Sequence, residues 1–164
     1  MKKYGNNLGR WMGALALAAG SVLAAQAAPA ADTGQTQAAE RYLKDIRKDA
    51  VRIRSASAQL RDLAAKPGVS WLDYDRQWNE IKPHAEDIQM KLWWLEDKQA
   101  SLSSEDQNDI QECKRLNEEI QSQTNGLRVL LDELNVQTND PKFAKFAKAL
   151  ESTSDDLAKT INVG

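Results

Sequence analysis

The sequence predicts an all-α protein: an antiparallel up-down-up-down bundle of four long, coiled-coil-like helices behind a cleaved signal peptide. Three observations carry this. After residue 38, apolar side chains recur at alternating steps of four and three, which lines them up along one stripe of a helix. The interruptions are short and built from Pro, Gly, Ser, Asn or Asp, and short connections between long helices force antiparallel neighbours. No alternating run of Val, Ile and Thr offers a strand. The rival arrangement is a long hairpin of the second and third helices that dimerises, with the outer helices packed loosely.

Residues 1–27 read as a secretory signal. Lys2, Lys3 and Arg10 form a positive start without acidic residues, and an apolar run from Trp11 through Ala25 follows. Small residues come next: Ala25-Gln26-Ala27 is the expected cleavage site and Ala28-Pro29-Ala30 its rival. The run is short for a bilayer-spanning helix and is broken by Gly13 and Gly20, so no membrane span is expected after cleavage. No cysteine follows it to carry a lipid anchor. The expected location is periplasmic or secreted. Residues 28–35 lack an apolar period and are expected to be a disordered leader, leaving 36–164 as the bundle domain.

The first helix is marked by Ala39, Leu43, Ile46, Ala50, Ile53, Ser57, Leu60 and Ala64, and Lys66-Pro67-Gly68 ends it. Ser70 is the expected N-cap of the second helix, with Asp73 complementing the helix dipole. Its stripe is the most regular: Trp71, Tyr74, Trp78, Ile81, Ala85, Ile88, Leu92, Leu95, Gln99 and Leu102. Pro83 interrupts the backbone but not this pattern, so one kinked helix is expected rather than two. The same register then lands on Asp106 and Asp109, so the chain must turn near Ser101–Ser104, where Ser104 and Gln107 form a capping box. Ile110, Cys113, Asn117, Ile120, Thr124, Leu127, Leu131 and Leu134 mark the third helix, with Gly126 inside it costing about 1 kcal/mol against alanine. Asn135–Asp140 is a polar loop. Asp140-Pro141 opens a shorter fourth helix bearing Phe143, Phe146, Leu150, Leu157 and Ile161.

Removal of the signal leaves 19 of the 22 basic residues against all 24 acidic ones, a net charge near −5. That balance argues against a nucleic-acid partner, whose phosphates call for clustered Lys and Arg. The one locally basic stretch, residues 41–61, is interleaved with Asp45 and Asp49, with Asp62 following, and reads as a solvated face.

The residues that could carry chemistry are few. His84 is the single histidine, no paired Glu-x-x-His or Cys-x-x-Cys-His occurs, and Met90 lies six positions from His84 on a different face of one helix. Neither a metal nor any other cofactor is therefore expected, and His84 reads as a surface residue beside Pro83. No nucleophile elbow, phosphate-cradling glycine loop or zinc-protease motif is present, so the chain is read as non-enzymatic. Cys113, the lone cysteine, falls on the buried stripe, where a thiol behaves as a small hydrophobe. The neighbouring pairs Glu118/Glu119 and Asp155/Asp156 point about 100° apart and read as solvated charge.

Aromatic residues supply the remaining candidates. Trp71, Tyr74 and Trp78 share one face and are expected to form core at one end of the bundle, or the mouth of an apolar ligand site. Met90, Trp93 and Trp94 fall outside the stripe formed by Ile88, Leu92 and Leu95, and an exposed Met-Trp-Trp cluster marks a partner surface or a site of self-association. Leu102-Ser103-Ser104-Glu105-Asp106-Gln107 resembles the Leu-Thr-x-x-Gln signature of small helical periplasmic stress chaperones, with one residue more before Gln107. The resemblance implies binding of unfolded clients on a concave helical surface, although the acidic balance departs from that family's basic clefts. The expected function is binding of another protein at the cell envelope, with an apolar-ligand carrier or a chaperone-like client binder as alternatives.

Overall fold

The computed structural model describes residues 33–133 and 141–161. Four helices account for nearly all of them: α1 (Thr33–Ala64), α2 (Trp71–Lys98), α3 (Ser104–Glu133) and α4 (Pro141–Thr160). A single 3-10 turn, Gln99–Ser101, joins α2 to α3, and no strand occurs among the described residues. The predicted signal segment, most of the predicted leader and the Asn135–Asp140 loop lie outside the described residues. Residues 33–35, read from the sequence as the end of the disordered leader, lie within the bounds of α1.

Helix α1 packs on α2 and α4, and α3 packs on the same two, so the four helices close a ring around one core. Neighbours run antiparallel. Tyr42 meets Trp94 at one end of the α1–α2 pair and Leu63 meets Tyr74 at the other. Along α2–α3 the partners run from Asp75 with Arg128 to Glu96 with Lys114. The loosely packed outer helices of the hairpin alternative are ruled out, because α1 and α4 share the most extensive helix–helix contact in the molecule.

The stripes read from the sequence form the core. Ile46, Ile53, Leu60, Ile81, Ile88, Leu92, Leu95, Ile110, Ile120, Leu127, Leu150 and Leu157 are all buried, each contributing about 1.5–3 kcal/mol by leaving water. The gap between Leu150 and Leu157 is filled by Thr153 and Ser154, which are buried as well. Their hydroxyls, like that of Ser57, turn back to the carbonyl one turn earlier (Ala149, Leu150 and Ile53), so none of these three donors is stranded.

Helix ends follow local chemistry. Ser70 caps α2 by accepting from the Leu72 amide at 3.2 Å, and Gly68 supplies the left-handed conformation (φ 74°) that the α1–α2 turn requires. The N-cap of α3 stands one residue earlier than expected, and no reciprocal capping box forms: Ser103 Oγ accepts from the Asp106 amide at 3.1 Å and donates to the Asp106 carboxylate at 2.6 Å. Gln107 instead donates to the Leu102 carbonyl, so the residues resembling a chaperone signature act here as a helix cap. Helix α2 runs through Pro83 as one helix, and the carbonyl that loses its partner, that of Asn79, belongs to an exposed residue. Gly126 acquires a reason. A Cβ built on it would lie 2.6 Å from Phe146 Cε1, so only glycine lets the α4 ring lie this close to α3.

Candidate functional site

The outer face of α2 presents Met90 (57% exposed) and Trp93 (63% exposed), one turn apart and therefore adjacent. Glu86, Glu96 and Asp97 surround them within a helical turn, each paired to a lysine: Lys82, Lys114 and Lys98 respectively. Trp94 does not belong to this surface. Its ring lies 4.6 Å from that of Tyr42 and packs against the core, which corrects the expected Met90-Trp93-Trp94 cluster to a pair. The reason is angular. Consecutive helical residues diverge by about 100°, and position 94 follows His84, Asp87 and Lys91 on the side that faces α1.

At the opposite end of α2 the three aromatics are bound into the bundle. Tyr74 is buried, meets Phe143 edge-on at 4.7 Å and donates its hydroxyl to the Leu63 carbonyl. Trp71 and Trp78 are half-buried and donate their indole N–H to the Leu131 and Thr124 carbonyls at 3.0 and 3.1 Å. Arg128 and Lys82 lie over the Trp78 ring at 5.0 and 5.6 Å. Neither of the two cavities described below is lined by any of the three. Trp71, Tyr74 and Trp78 thus tie α2 to α1, α3 and α4.

Between α1 and α2 the structure assembles a cluster that the sequence reading missed. Asp49, expected on a solvated face, is only 5% exposed. His84 Nδ1 lies 3.0 Å from Asp49 Oδ1, and Lys91 Nζ donates to Asp49 Oδ2 at 2.5 Å. Arg52 stands third in line, 4.0 Å from Oδ1. His84 is not a free surface residue. The signal was present in the sequence: Tyr42, Ile46, Asp49, Ile53, Ala56, Leu60 and Leu63 form a second stripe at steps of four and three, and Asp49 is the single charge in it.

Asp49, His84 and Asp87 offer oxygen and nitrogen atoms within 4.8 Å of one another, a spacing a metal ion could span. The local charge speaks against that use. The Lys91 ammonium already occupies one Asp49 oxygen, and the Arg52 guanidinium approaches the other, so an arriving cation would meet two positive groups. The cluster is a buried ion pair oriented through hydrogen bonds.

Two open grooves flank α1. One, of about 490 Å³, lies between Arg52 and Gln59 of α1 and Arg76, Gln77, Glu80 and His84 of α2. The other, about 420 Å³, lies towards α4 between Arg54, Arg61, Lys148, Glu151 and Asp155. Cys113 faces neither. It is buried, and burial, reinforced by the nearby carboxylates of Asp109 and Glu112, pushes its thiol up to about 12, so it stays protonated and inert at neutral pH. Glu118 and Glu119 are both exposed, whereas Asp155 is bound by Lys159 and Arg54, which together hold its carboxyl below the usual range. Among the described residues no helix is long and apolar enough to cross a membrane. No family model, curated protein or solved structure matches this chain.

Proposed function

We propose that this chain is an exported, non-enzymatic binding protein that holds another protein at the cell envelope through the outer face of α2, with Met90 and Trp93 as its contact residues. One observation carries the reading: an indole nearly two-thirds exposed on a helix whose buried stripe is already complete. Large aromatic and thioether side chains left in water are characteristic of surfaces that meet a partner. Glu86, Glu96 and Asp97 around the pair are each tied to a lysine, so the rim is mixed in charge, and the partner surface that fits it is an apolar pocket with a polar edge. Export rests on the basic start, the apolar run and the small residues at Ala25-Gln26-Ala27. The burial and raised pKa of Cys113 favour binding over nucleophilic chemistry.

The test is a photo-crosslinking amino acid placed at Asp97 of the full-length protein in its native host, followed by purification of the adduct's partner and a direct affinity measurement. Met90→Gln/Trp93→Gln should weaken that affinity by roughly tenfold or more while leaving melting unchanged. Trp94→Gln should lower the melting temperature instead, because it removes the contact with Tyr42. An adduct formed only with a second copy of the chain, or an affinity indifferent to Trp93, would overturn the reading. N-terminal sequencing from the same host tests export: a chain beginning near Ala28 is expected, and an intact Met1 refutes it.

A further inference from the structure

The two grooves beside α1 are alike in size but not in charge. Towards α4, Arg54 donates to Asp155 at 2.7 Å and Arg61 pairs with Glu151, so the guanidinium groups there are already neutralised. Towards α2 they are not. Arg52 makes no hydrogen bond among the described residues, and its nearest carboxylate, Asp49, is already claimed by His84 and Lys91. Arg76 is held only by an exposed contact of 3.3 Å to Asp73. The side-chain amides of Gln59 and Gln77 likewise carry no hydrogen bond among the described residues. Two under-neutralised guanidinium groups thus face one carboxylate, Glu80, on a protein whose overall balance is acidic.

We propose that this groove binds a small hydroxylated oxyanion, a hydroxycarboxylate or a phosphate ester of a polyol. Guanidinium groups match carboxylate and phosphate oxygens two at a time, and Arg52 from α1 with Arg76 from α2 can close on such a group from both walls. The hydroxyl requirement comes from His84. Its Nδ1 lies 3.0 Å from Asp49 Oδ1, which leaves Nε2 as the ring's free polar atom for a ligand hydroxyl, and a hydroxyl can donate or accept there. Glu80 supplies a second acceptor and repels a misplaced anionic group. Gln59 and Gln77 add amide donors and acceptors between these ends. The groove, of about 490 Å³, has room for such a ligand together with bridging water. The site is separate from the Met90–Trp93 face and does not depend on it.

Titration of the full-length mature protein by NMR, following the arginine Nε–H and glutamine amide signals, tests this with tartrate, succinate, glycerol phosphate and sodium chloride at matched ionic strength. Saturable shifts at Arg52, Arg76, Gln59 and Gln77 are expected with tartrate and glycerol phosphate. Succinate, lacking hydroxyls, should bind more weakly, and chloride should not saturate. Arg52→Gln and Arg76→Gln should each weaken tartrate by about tenfold without changing the melting temperature, since both side chains are largely exposed. Arg54→Gln, in the neutralised groove, should leave binding intact. Shifts that grow linearly and equally with every salt, or saturation that survives Arg52→Gln/Arg76→Gln, would refute an anion site. Equal affinity for tartrate and succinate would refute the role assigned to His84.

Discussion

Replacing Gly126 by alanine tests the packing directly, because helix propensity and packing demand opposite signs. Propensity alone says that alanine in a helix interior is worth about 1 kcal/mol over glycine. The structure says that the new methyl would lie 2.6 Å from Cε1, 3.0 Å from Cζ and 3.2 Å from Cδ1 of Phe146. All three are below ordinary contact, and Phe146 packs against the core, so relief requires moving a half-buried ring. Overpacking of this kind costs about 1–3 kcal/mol, which cancels or exceeds the propensity gain. Gly126→Ala alone should therefore be neutral to about 2 kcal/mol destabilising in urea unfolding. In a Phe146→Ala background, with the ring gone, the same change should stabilise by about 1 kcal/mol. The double-mutant cycle should return a coupling of about 1–3 kcal/mol. If Gly126→Ala stabilises equally in both backgrounds, α4 does not pack on α3 as described.

Three further predictions follow from the same geometry. Leu92→Asp should unfold the protein in circular-dichroism melts, since an unpartnered carboxylate would replace a fully buried side chain at a cost of several kcal/mol, while Glu96→Ala, which removes only a surface pair with Lys114, should change stability by less than about 1 kcal/mol. Equal effects would mean the α2 register is wrong. Lys91→Ala should destabilise by about 3–5 kcal/mol by stripping the buried Asp49 carboxylate of its cation, and Asp49→Asn/Lys91→Met should recover most of that loss; failure to recover would show that the pair is not energetically coupled. Cys113 sets an alkaline dependence: the unfolded thiol ionises near 9 and the folded one at about 12, so the native state alone keeps the proton in between and stability falls as pH rises through that window. At pH 10.5 this amounts to about 2 kcal/mol relative to Cys113→Ala, and a stability gap between the two proteins that does not change with pH would contradict the buried placement.

The fold was legible because each helix repeats its apolar residues often enough to outvote single exceptions. Ile81, Ala85, Ile88, Leu92 and Leu95 define α2 despite Pro83 in their midst. What the sequence hid were features that depend on a partner far along the chain. The stripe on α1 marks Asp49 as a buried charge, but its partners His84 and Lys91, 35 and 42 positions away, are named only once the chain is folded. Trp94 looks exposed until Tyr42 covers it, 52 positions away. Gly126 looks like a defect until Phe146 arrives. The Ser103/Ser104 shift is of another kind: either serine can cap, and the Asp106 side chain, answering the Ser103 hydroxyl, decides between them.

A repeating apolar seam is degenerate, and this explains where the polar exceptions stand. Sliding α1 by seven residues along α2 would still bring Leu or Ile against Leu or Ile, at little cost in buried area. It would also part Asp49 from one of its two partners, because His84 and Lys91 stand seven residues apart and only the native register sets both against the same carboxylate. Asn117 is the polar exception between α2 and α3: it is buried, and its amide donates to Gln89 at 2.8 Å. Phe146 seated on Gly126 fixes α4 against α3 by shape rather than charge. Three of the four helix–helix interfaces thus carry one specific pairing. The α1–α4 interface uses exposed pairs instead, Arg54 with Asp155 and Arg61 with Glu151, which contribute little individually. Register errors should therefore arise first at α4, and disrupting Gly126 and Phe146 should loosen α4 before it affects the α1–α2 pair that carries the grooved face.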